Sequence, residues 1–282
     1  RTGPCVVRIV GAGIQRVVAA VEDPNPLVRG RGFAYLREHG VDVEVGLGGD
    51  VAGHLNDAFF TRVTAQRPFV TAKVALSLDG YLAATPGQPT ALTSAAANRH
   101  AHRFRAEVDA IAVGSGTILA DDPQLTARGA YRAHPLTRVI FDRRLRTPPT
   151  ARVLSTATAG PVIIVTSAEQ AAGRDDRRRA LEMRGAHVMV TRSGSLREAL
   201  GSLAADWQIG SLLLEGGAAL HAAAWDEGVV DAVRMYVTPR VLGAGGVPWL
   251  EGRPFWTGAL RDRRVEPLGP DVLIEGYVHR SR

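Results

Sequence analysis

Apolar residues in this chain form short runs separated by glycine, proline and charged residues. From residue 70 onward, two kinds of pattern alternate. Strand-like runs occupy 70–76, 109–113, 138–141, 161–165, 186–190 and 211–214, and helical patterns occupy 94–105, 174–184 and 196–205. Continuous apolar runs are typical of strands covered on both faces. The alternation therefore predicts an α/β domain with a mostly parallel sheet between helices.

The two ends of the chain differ from this middle part. Strand patterns at 232–238, 263–267 and 272–278 follow with few helical residues between them, which predicts an antiparallel edge at the C-terminal end of the sheet. Residues 1–66 read as helix, strand, loop, helix, strand and helix, with strands at 16–21 and 41–45, a fragment short for a core of its own. Pro68 biases its predecessor away from helix, so we expect domains at 1–66 and 67–282.

Composition narrows the class of protein. The 282 residues are 45% hydrophobic and 22% charged, and no apolar run is long enough to cross a bilayer. The start resembles no signal peptide, and Cys5 is the only cysteine, so we expect a soluble cytoplasmic protein with no membrane partner. The formal charge is +6, but the arginines are mixed with acids, and the densest cluster, 174–184, is typical of an exposed helix face. We therefore expect an anionic small-molecule substrate rather than nucleic acid.

The segment TAKVALSLDG at 71–80 contains Lys73, the only lysine of the chain. Lysine offers a compact ammonium that loses its proton more readily than a guanidinium does. A chain that otherwise uses arginine for its basic residues therefore points to a special requirement at this position. The alternative is chance placement.

The segment LLLEGGAAL at 212–220 indicates a strand, a glycine turn and the start of a helix. Free backbone amides at such a turn bind anions, and glycine allows an anion to approach closely. An ordinary tight turn would have the same sequence. Glu215 favours a site, because open α/β sheets bind ligands at the carboxyl ends of their strands.

The segment GSGTILADDPQLTAR at 114–128 again indicates a strand followed by a helical turn. Thr117 is expected to cap this turn and to contact a phosphate. Asp121 and Asp122 precede a proline, where acids also serve simply to form turns. Arg128 together with Arg105 is expected to hold a phosphate as a bidentate fork.

Other chemistries find no support in the sequence. The eight histidines show no metal-ligand spacing, and Cys5 has no second cysteine. The sequence also has no nucleophile elbow and no phosphate-binding Walker loop. Of the enzyme classes considered, a cofactor-dependent reaction is therefore the one that the sequence still allows.

Together these segments resemble the bifunctional deaminase/reductase family of riboflavin biosynthesis, over essentially the whole chain. Residues 69–278 resemble its complete reductase domain, which has a dihydrofolate-reductase-like fold. Residues 1–65 resemble the last part of its cytidine-deaminase-like domain. The resemblance implies NADPH-dependent reduction of the ribosyl group of 5-amino-6-(5-phosphoribosylamino)uracil to the ribityl form, with the hydride supplied by the cofactor.

The resemblance also implies roles for individual residues. Lys73 and Asp121 are the expected catalytic residues, with Lys73 orienting the substrate and stabilising charge as the sugar ring opens. The expected NADPH contacts are Ala75, Thr117, Asp121, Arg143, Gly217, Ala218, Ala219, Leu220, His221, Ala222 and Ala223. The expected contacts to the phosphorylated substrate are Arg105, Leu125, Arg128 and Glu215.

The chain departs from the family pattern in its reductase part. Pro89 and Ala91 replace a serine and a tryptophan that touch substrate and cofactor, which puts affinity or substrate choice in question. Arg143 replaces a serine on the cofactor side and is expected to pair with the 2′-phosphate of NADPH. A reductase of another pterin-like or nucleotide-derived substrate, or a catalytically silent nucleotide-binding partner, therefore stays open.

The deaminase part departs further. The family chemistry needs zinc held by one histidine and two cysteines, and only Cys5 matches one of these ligands. We therefore expect no zinc and no deaminase activity from this chain, whether it is cut from a longer protein or its first half has decayed. A homodimer formed through the reductase domain is also expected, with the antiparallel tail as a plausible contact.

Overall fold

The computed structural model describes residues 3–279, apart from the side chain of Ala157. By its internal contacts the chain divides after Gln66 into two compact units, of which the second begins at Arg67.

The first unit is built around a pair of short parallel strands. Its elements in chain order are α1 (Cys5–Gly11), β1 (Arg16–Ala19), α2 (Arg31–Glu38), β2 (Asp42–Val45), α3 (Gly49–Leu55) and α4 (Asp57–Ala65). Strand β1 pairs with β2 from Arg16 opposite Asp42 onward. The predicted strand at 16–21 ends two residues earlier, and the single last helix predicted from the sequence is two helices, separated at Asn56.

The second unit contains a nine-stranded sheet. Its strands are β3 (Phe69–Leu76), β5 (Ala110–Gly114), β6 (Thr137–Phe141), β7 (Val162–Ser167), β8 (Ala186–Thr191), β9 (Ser211–Leu214), β10 (Ala232–Val237), β12 (Arg261–Leu268) and β13 (Asp271–Tyr277). Their order is β12-β13-β10-β3-β9-β5-β6-β7-β8. All pairs from β10 to β8 are parallel, whereas β12–β13 and β13–β10 are antiparallel. The predicted sheet and its antiparallel edge are confirmed.

Helices cover both faces of this sheet. They are α5 (Ala95–Glu107), α6 (Ser115–Asp121), α7 (Arg152–Ser155), α8 (Ala168–Ala171), α9 (Asp175–Glu182), α10 (Leu196–Asp206) and α11 (Ala218–Asp226). Alternation along β5 shows the two cores: Ala110 and Ala112 belong to one apolar cluster, Ile111 and Val113 to the other. Burial of both faces explains why the central strands have continuous apolar sequences.

Two polar side chains fix the ends of one of these helices. Ser94 caps the start of α5, because its hydroxyl accepts a hydrogen bond from the amide of Ala97. At the other end of α5, the Arg132 guanidinium donates to the carbonyls of Arg105, Ala106 and Val108, the last at 2.5 Å. Helix α5 is therefore fixed at both ends, which holds Arg105 in place.

One small sheet was not predicted from the sequence. Strand β4 (Tyr81–Ala83) pairs antiparallel with β11 (Val247–Pro248). We call this two-stranded sheet the flap. Strands of two and three residues have too little sequence to show a period, and the partners lie far apart in the chain, so no local signal marks them.

The remaining predictions about the fold concern the membrane and the protein surface. No helix within residues 3–279 has the length and apolar character needed to span a bilayer. Helix α9 exposes its arginines, as predicted for residues 174–184, and buries Leu181. At the antiparallel edge, β12 leaves Val265 62% exposed, but the homodimer stays a prediction.

Candidate active site

A cleft of about 690 Å³ opens where several parallel strands of the second unit end. Its floor is formed by Lys73 and Ala75 on β3, Gly114 at the end of β5 and Glu215 just after β9. Helices α5 and α6 form one wall, and the flap with the loop 86–91 forms another. This volume suits a nucleotide-sized ligand, and the carboxyl ends of strands are the usual binding edge of an open α/β sheet.

Three charged side chains meet at this floor. Arg105 Nε and Nη2 each donate to one oxygen of Glu215 at 2.7 Å, and Lys73 Nζ lies 3.7 Å from Glu215 Oε2. The three side chains are between 9% and 18% exposed. The predicted catalytic lysine and the predicted substrate-side glutamate are therefore neighbours in space, although they lie far apart in the sequence.

The electrostatics of Glu215 follow from this arrangement. Burial by itself would raise the pKa of the carboxyl, but the charges of Lys73 and Arg105 and the hydrogen bonds from Arg105 outweigh it and lower the pKa to about 2. Glu215 is therefore ionised at neutral pH and serves as an acceptor, not as a proton donor.

Lys73 keeps its donors available. A distance of 3.7 Å to Glu215 exceeds that of a hydrogen bond, and the ammonium lies 5.5 Å from the centre of the Tyr236 ring. The Tyr236 hydroxyl is 3.0 Å from His100 Nδ1, and burial raises the pKa of Tyr236 well above its ordinary value. The ammonium therefore lies beside a neutral ring and faces the cleft with donors to spare.

The glycine turn between β9 and α11 lines the same cleft. A Cβ atom on Gly216 would lie 2.8 Å from Leu220 Cδ2, so the turn packs directly against the helix that follows it. A Cβ on Gly217 would lie 3.8 Å from Thr117 Oγ1, an ordinary contact. Thr117 thus lies beside the turn, as a cofactor contact requires. Its predicted capping role is wrong, because α6 begins at Ser115 with Gly114 in the cap position.

Helix α6 and the segment after it complete the wall. Asp121 is exposed at the helix end, yet partial desolvation of its carboxyl raises its pKa. Asp122 is structural, since its carboxylate accepts from the amide of Arg152. Leu125 is buried, lines the cleft and has a φ of 54°, a left-handed conformation that is costly for leucine.

The two arginines of the predicted phosphate fork differ in how far the protein itself engages them. The fork of Arg105 is occupied by Glu215, and its Nη1 donates to the carbonyl of Thr126. Arg128 lies exposed beyond Leu125, with Nη2 3.3 Å from His102 Nε2. Among the described residues, no carboxylate binds the guanidinium of Arg128, whereas Glu215 binds that of Arg105.

A second cavity of about 360 Å³ adjoins the cleft, and we call it the arginine cavity. Both are lined by Gly114, Gly116, Ala219 and Leu220, while Arg143, Arg144 and Arg146 line only the second. Among the described residues, no acid or carbonyl binds the guanidinium of Arg143 or Arg144. An extended dinucleotide bound in the cleft could therefore reach the arginines of the arginine cavity.

The predicted cofactor stretch 217–223 divides between these surfaces. Gly217 and Ala218 line the cleft, Ala219 and Leu220 line both cavities, and Ala223 lines the arginine cavity. Ala222 lines neither. His221 is a correction: it is 2% exposed, and its ring bonds to the protein interior, so its side chain cannot contact a cofactor.

Sequence reasoning missed the flap. Leu82, Ala83 and Val247 face the cleft, and no pattern could have assigned them because the flap itself had no signal. By contrast, Pro89 and Ala91, which depart from the family pattern, line the cleft and so lie where a ligand would bind.

Within residues 3–279, no group of three or more histidine, cysteine or acidic side chains is arranged to hold a metal ion. Cys5 is exposed at the start of α1.

Comparison with known proteins assigns these features to a family. Residues 68–274 match the family described as RibD C-terminal domain. The riboflavin biosynthesis protein RibD of Aquifex aeolicus is 35% identical over 280 residues, which are 97% of this chain and 76% of that protein. The solved structure of Acinetobacter baumannii RibD has a TM-score of 0.82 at 32% identity and covers 99% of this chain and 77% of its own.

A second solved structure gives the same picture. It is a Thermotoga maritima diaminohydroxyphosphoribosylaminopyrimidine deaminase/5-amino-6-(5-phosphoribosylamino)uracil reductase, with a TM-score of 0.78 at 29% identity over 98% of this chain and 75% of that one. The match over nearly the whole chain confirms the predicted mixed α/β fold.

Proposed function

Because this chain belongs to the RibD C-terminal domain family, we propose that it is a reductase of riboflavin biosynthesis that reduces 5-amino-6-(5-phosphoribosylamino)uracil with NADPH. The observation that carries this proposal is the cluster of Lys73, Glu215 and Arg105 at the floor of the cleft. The relatives do not favour a different substrate or a silent nucleotide-binding partner.

The reaction makes one demand on the protein besides binding. A hydride adds to C1′ of the ribosyl group, the bond from C1′ to the ring oxygen breaks, and that oxygen takes a proton to become a hydroxyl. The nicotinamide supplies the hydride and is oxidised. The protein must therefore hold C1′ in place and present a proton or positive charge to the departing ring oxygen.

Lys73 meets that demand. Among the described residues, its ammonium is the one cationic group at the floor that is not already engaged in a bidentate pair, and it faces the cleft. Positive charge near the ring oxygen stabilises the negative charge that develops as the C1′–oxygen bond breaks. An ammonium can also transfer its proton to that oxygen.

Glu215 and Arg105 set the position of Lys73. The carboxylate is held by both Arg105 nitrogens and therefore presents a fixed negative charge 3.7 Å from the ammonium. This charge draws Lys73 toward β9 and compensates its positive charge in a desolvated place. With its pKa near 2, Glu215 keeps that charge throughout the working pH range and also offers lone pairs to substrate hydroxyls.

The cofactor is proposed to lie across both cavities. The glycine turn and Thr117 face the cleft, where backbone amides can donate to phosphate oxygens. Arg143 and Arg144 face the arginine cavity and would meet a 2′-phosphate, which favours NADPH over NADH. Arg128, exposed beyond Leu125, is proposed as the contact to the substrate phosphate.

The direct test is turnover by the purified protein. The deaminated ribosyl substrate and NADPH should give the ribityl product and NADP⁺ in equal amounts, followed by absorbance of NADPH and by mass spectrometry of the product, which gains two hydrogens. A deuterated hydride donor should place one deuterium at C1′. Absence of turnover in the presence of measurable NADPH binding would contradict the proposal and favour a silent nucleotide-binding role.

A further inference from the structure

His102 and Arg128 meet beside the cleft through two contacts. The backbone amide of Arg128 donates to His102 Nδ1 at 3.2 Å, and the guanidinium nitrogen Nη2 of Arg128 lies 3.3 Å from His102 Nε2. Both contacts are exposed to solvent. A single residue therefore faces both nitrogens of the ring, with its backbone on one side and its side chain on the other.

Helix α5 connects this pair to the substrate side of the cleft. His102 and Arg105 are three residues apart, on the same face of the helix. Arg105 donates from Nη1 to the carbonyl of Thr126, two residues before Arg128. Arg105 and Leu125 line the cleft, so the pair of His102 and Arg128 lies next to that lining and outside the cleft itself.

The two contacts make opposite demands on the ring. An amide N–H and a guanidinium only donate, whereas a neutral imidazole has one nitrogen that accepts and one that donates. Burial lowers the pKa of His102, and so do the charges of Arg105 and Arg128. Glu215 and the carbonyl of Thr126 oppose this lowering only in part, so the ring is neutral at neutral pH. It can therefore accept from Arg128 at one nitrogen only.

The backbone amide of Arg128 is the better placed of the two donors. Its position is set by the chain, whereas the guanidinium ends a long, exposed side chain that can turn toward water at little cost. When Nδ1 accepts from the amide, the ring hydrogen lies on Nε2 and faces the guanidinium. Two donors then lie 3.3 Å apart with no acceptor between them.

We propose that these two donors bind one anionic oxygen of the substrate phosphate, His102 through its Nε2–H and Arg128 through its guanidinium. An oxygen between them replaces a contact of two donors by two hydrogen bonds to a charged acceptor. The phosphate group would then lie outside the cleft, with the ribosyl group extending past Leu125 and Arg105 toward the floor. That the anion belongs to the substrate rests on the proposed function, whereas the tautomer of His102 does not.

Nitrogen NMR of the histidine rings tests the tautomer and the anion site without turnover. In the ligand-free wild-type protein at neutral pH, His102 should show a bare Nδ1 and a protonated Nε2, assigned by the signals missing from His102→Asn or His102→Gln. Inorganic phosphate or the phosphorylated substrate should move the Nε2 signal, whereas chloride at the same ionic strength should not. A bare Nε2, or an Nε2 signal that neither phosphate nor substrate moves, overturns the proposal.

Two substitutions separate donation to the phosphate from support of the Arg128 backbone. His102→Asn places an amide oxygen near the position of Nδ1, where it can accept from Arg128, and leaves no group at the position of Nε2. We expect it to raise the KM of the phosphorylated substrate about tenfold with kcat unchanged, since a hydrogen bond to a charged group is lost. His102→Gln places an N–H near the position of Nε2 and should recover most of that loss.

His187→Asn is the control for the substitution itself. His187 lies on β8, the strand at the other edge of the sheet, where its ring contacts Trp207. This variant should keep the wild-type KM. A His102→Asn variant with the same KM as His187→Asn would show that His102 only supports the backbone of Arg128, which overturns the role of Nε2.

The dephosphorylated substrate shows whether the effect belongs to the phosphate. Its affinity, measured by equilibrium binding, should be the same in wild type and His102→Asn, and an equal loss for both forms of the substrate overturns the proposal. Failure of the proposed function is seen separately, as absence of turnover by the wild type. The ring spectra with inorganic phosphate still decide the role of His102 in that case.

Discussion

Arg105 donates to both oxygens of Glu215 at 2.7 Å and so joins the last turn of α5 to the end of β9. The second unit contains another pair with the same geometry, in which Arg253 donates to both oxygens of Asp226 at 2.6 Å. The side chain of Glu215 is 9% exposed and that of Asp226 is 54% exposed. The two pairs therefore separate the effect of burial from the effect of bidentate geometry.

Glu215→Gln should strongly lower both the stability and the turnover of the protein, whereas Asp226→Asn should change neither. The first change leaves Arg105 and Lys73 without their counter-charge in a desolvated place, which should lower the free energy of unfolding by about 3 kcal/mol. Turnover should fall roughly 100-fold with the loss of the fixed charge beside Lys73. The second change removes a solvated charge, so urea midpoint and turnover should stay near the wild-type values. Equal effects of the two changes would contradict a special role for the buried pair.

The stability that Glu215 confers should depend on pH with a defined sign. Its folded pKa is lowered to about 2 from an ordinary value of 4.5, so its contribution is complete above pH 4.5 and is lost as the pH falls toward 2. The shift corresponds to roughly 3 kcal/mol. The deficit of Glu215→Gln relative to wild type, measured by urea unfolding, should therefore shrink across this window. A deficit that is constant with pH would mean that the substituted amide disturbs packing rather than charge.

The sequence predicted the parts of this site that depend on local pattern. Lys73 was identified because it is the only lysine of the chain, and Glu215 because it follows a strand whose apolar pattern is strong, at the edge where open α/β sheets bind ligands. The pairing of Arg105 with Glu215 was not predicted, because it joins residues 110 positions apart and depends on where α5 crosses the sheet. The predicted fork with Arg128 did not anticipate that Arg105 binds Glu215, for the same reason.

The helix stretch 217–223 shows a second limit. The resemblance implies that all seven residues contact NADPH, but successive side chains of a helix point in different directions. Leu220 therefore faces the cavities while His221 faces the core. The flap was not predicted for a third reason: its two short strands lie far apart in the sequence and meet only in the folded protein.

Gly216→Ala and Gly217→Ala should differ in stability although the two positions are adjacent. A Cβ at Gly216 would lie 2.8 and 2.9 Å from atoms of Leu220, so α11 must shift, whereas a Cβ at Gly217 meets nothing closer than 3.8 Å. We expect Gly216→Ala to lose about 1 to 3 kcal/mol of unfolding free energy, as overpacked sites do. Gly217→Ala should be nearly neutral. Thermal unfolding without ligands measures this difference, and equal melting temperatures would contradict the close packing of the turn.

Arg143 and Arg144 should determine the choice between NADPH and NADH. Neither guanidinium is engaged by an acid among the described residues, and both line the arginine cavity. Arg143→Ala is expected to raise the KM for NADPH at least about tenfold, because a charge-assisted contact to the 2′-phosphate is lost, and to leave the KM for NADH unchanged. Arg263→Ala on the exposed β12 strand serves as the control and should change neither value. A wild-type protein that binds both cofactors equally would remove this assignment.

Lys73 should be required as an ammonium and not merely as a positive charge. Lys73→Met removes the charge beside the departing ring oxygen and should lower kcat about 100-fold while NADPH binding is retained. Lys73→Arg keeps the charge, but its planar fork would compete with Arg105 for Glu215 and gives up a proton far less readily, so it should recover little of the lost rate. Arg234→Lys is the matched control, since Arg234 on β10 is the residue opposite Lys73 on β3, but its side chain binds Glu275 at 2.9 Å outside the cleft.

Because Lys73 is the only lysine, reductive methylation with ¹³C-formaldehyde labels it together with the terminal amine. Substrate should shift the Lys73 resonance alone, and that resonance should be missing from Lys73→Arg; a resonance indifferent to substrate, or full turnover by Lys73→Met, would place the chemistry elsewhere in the cleft.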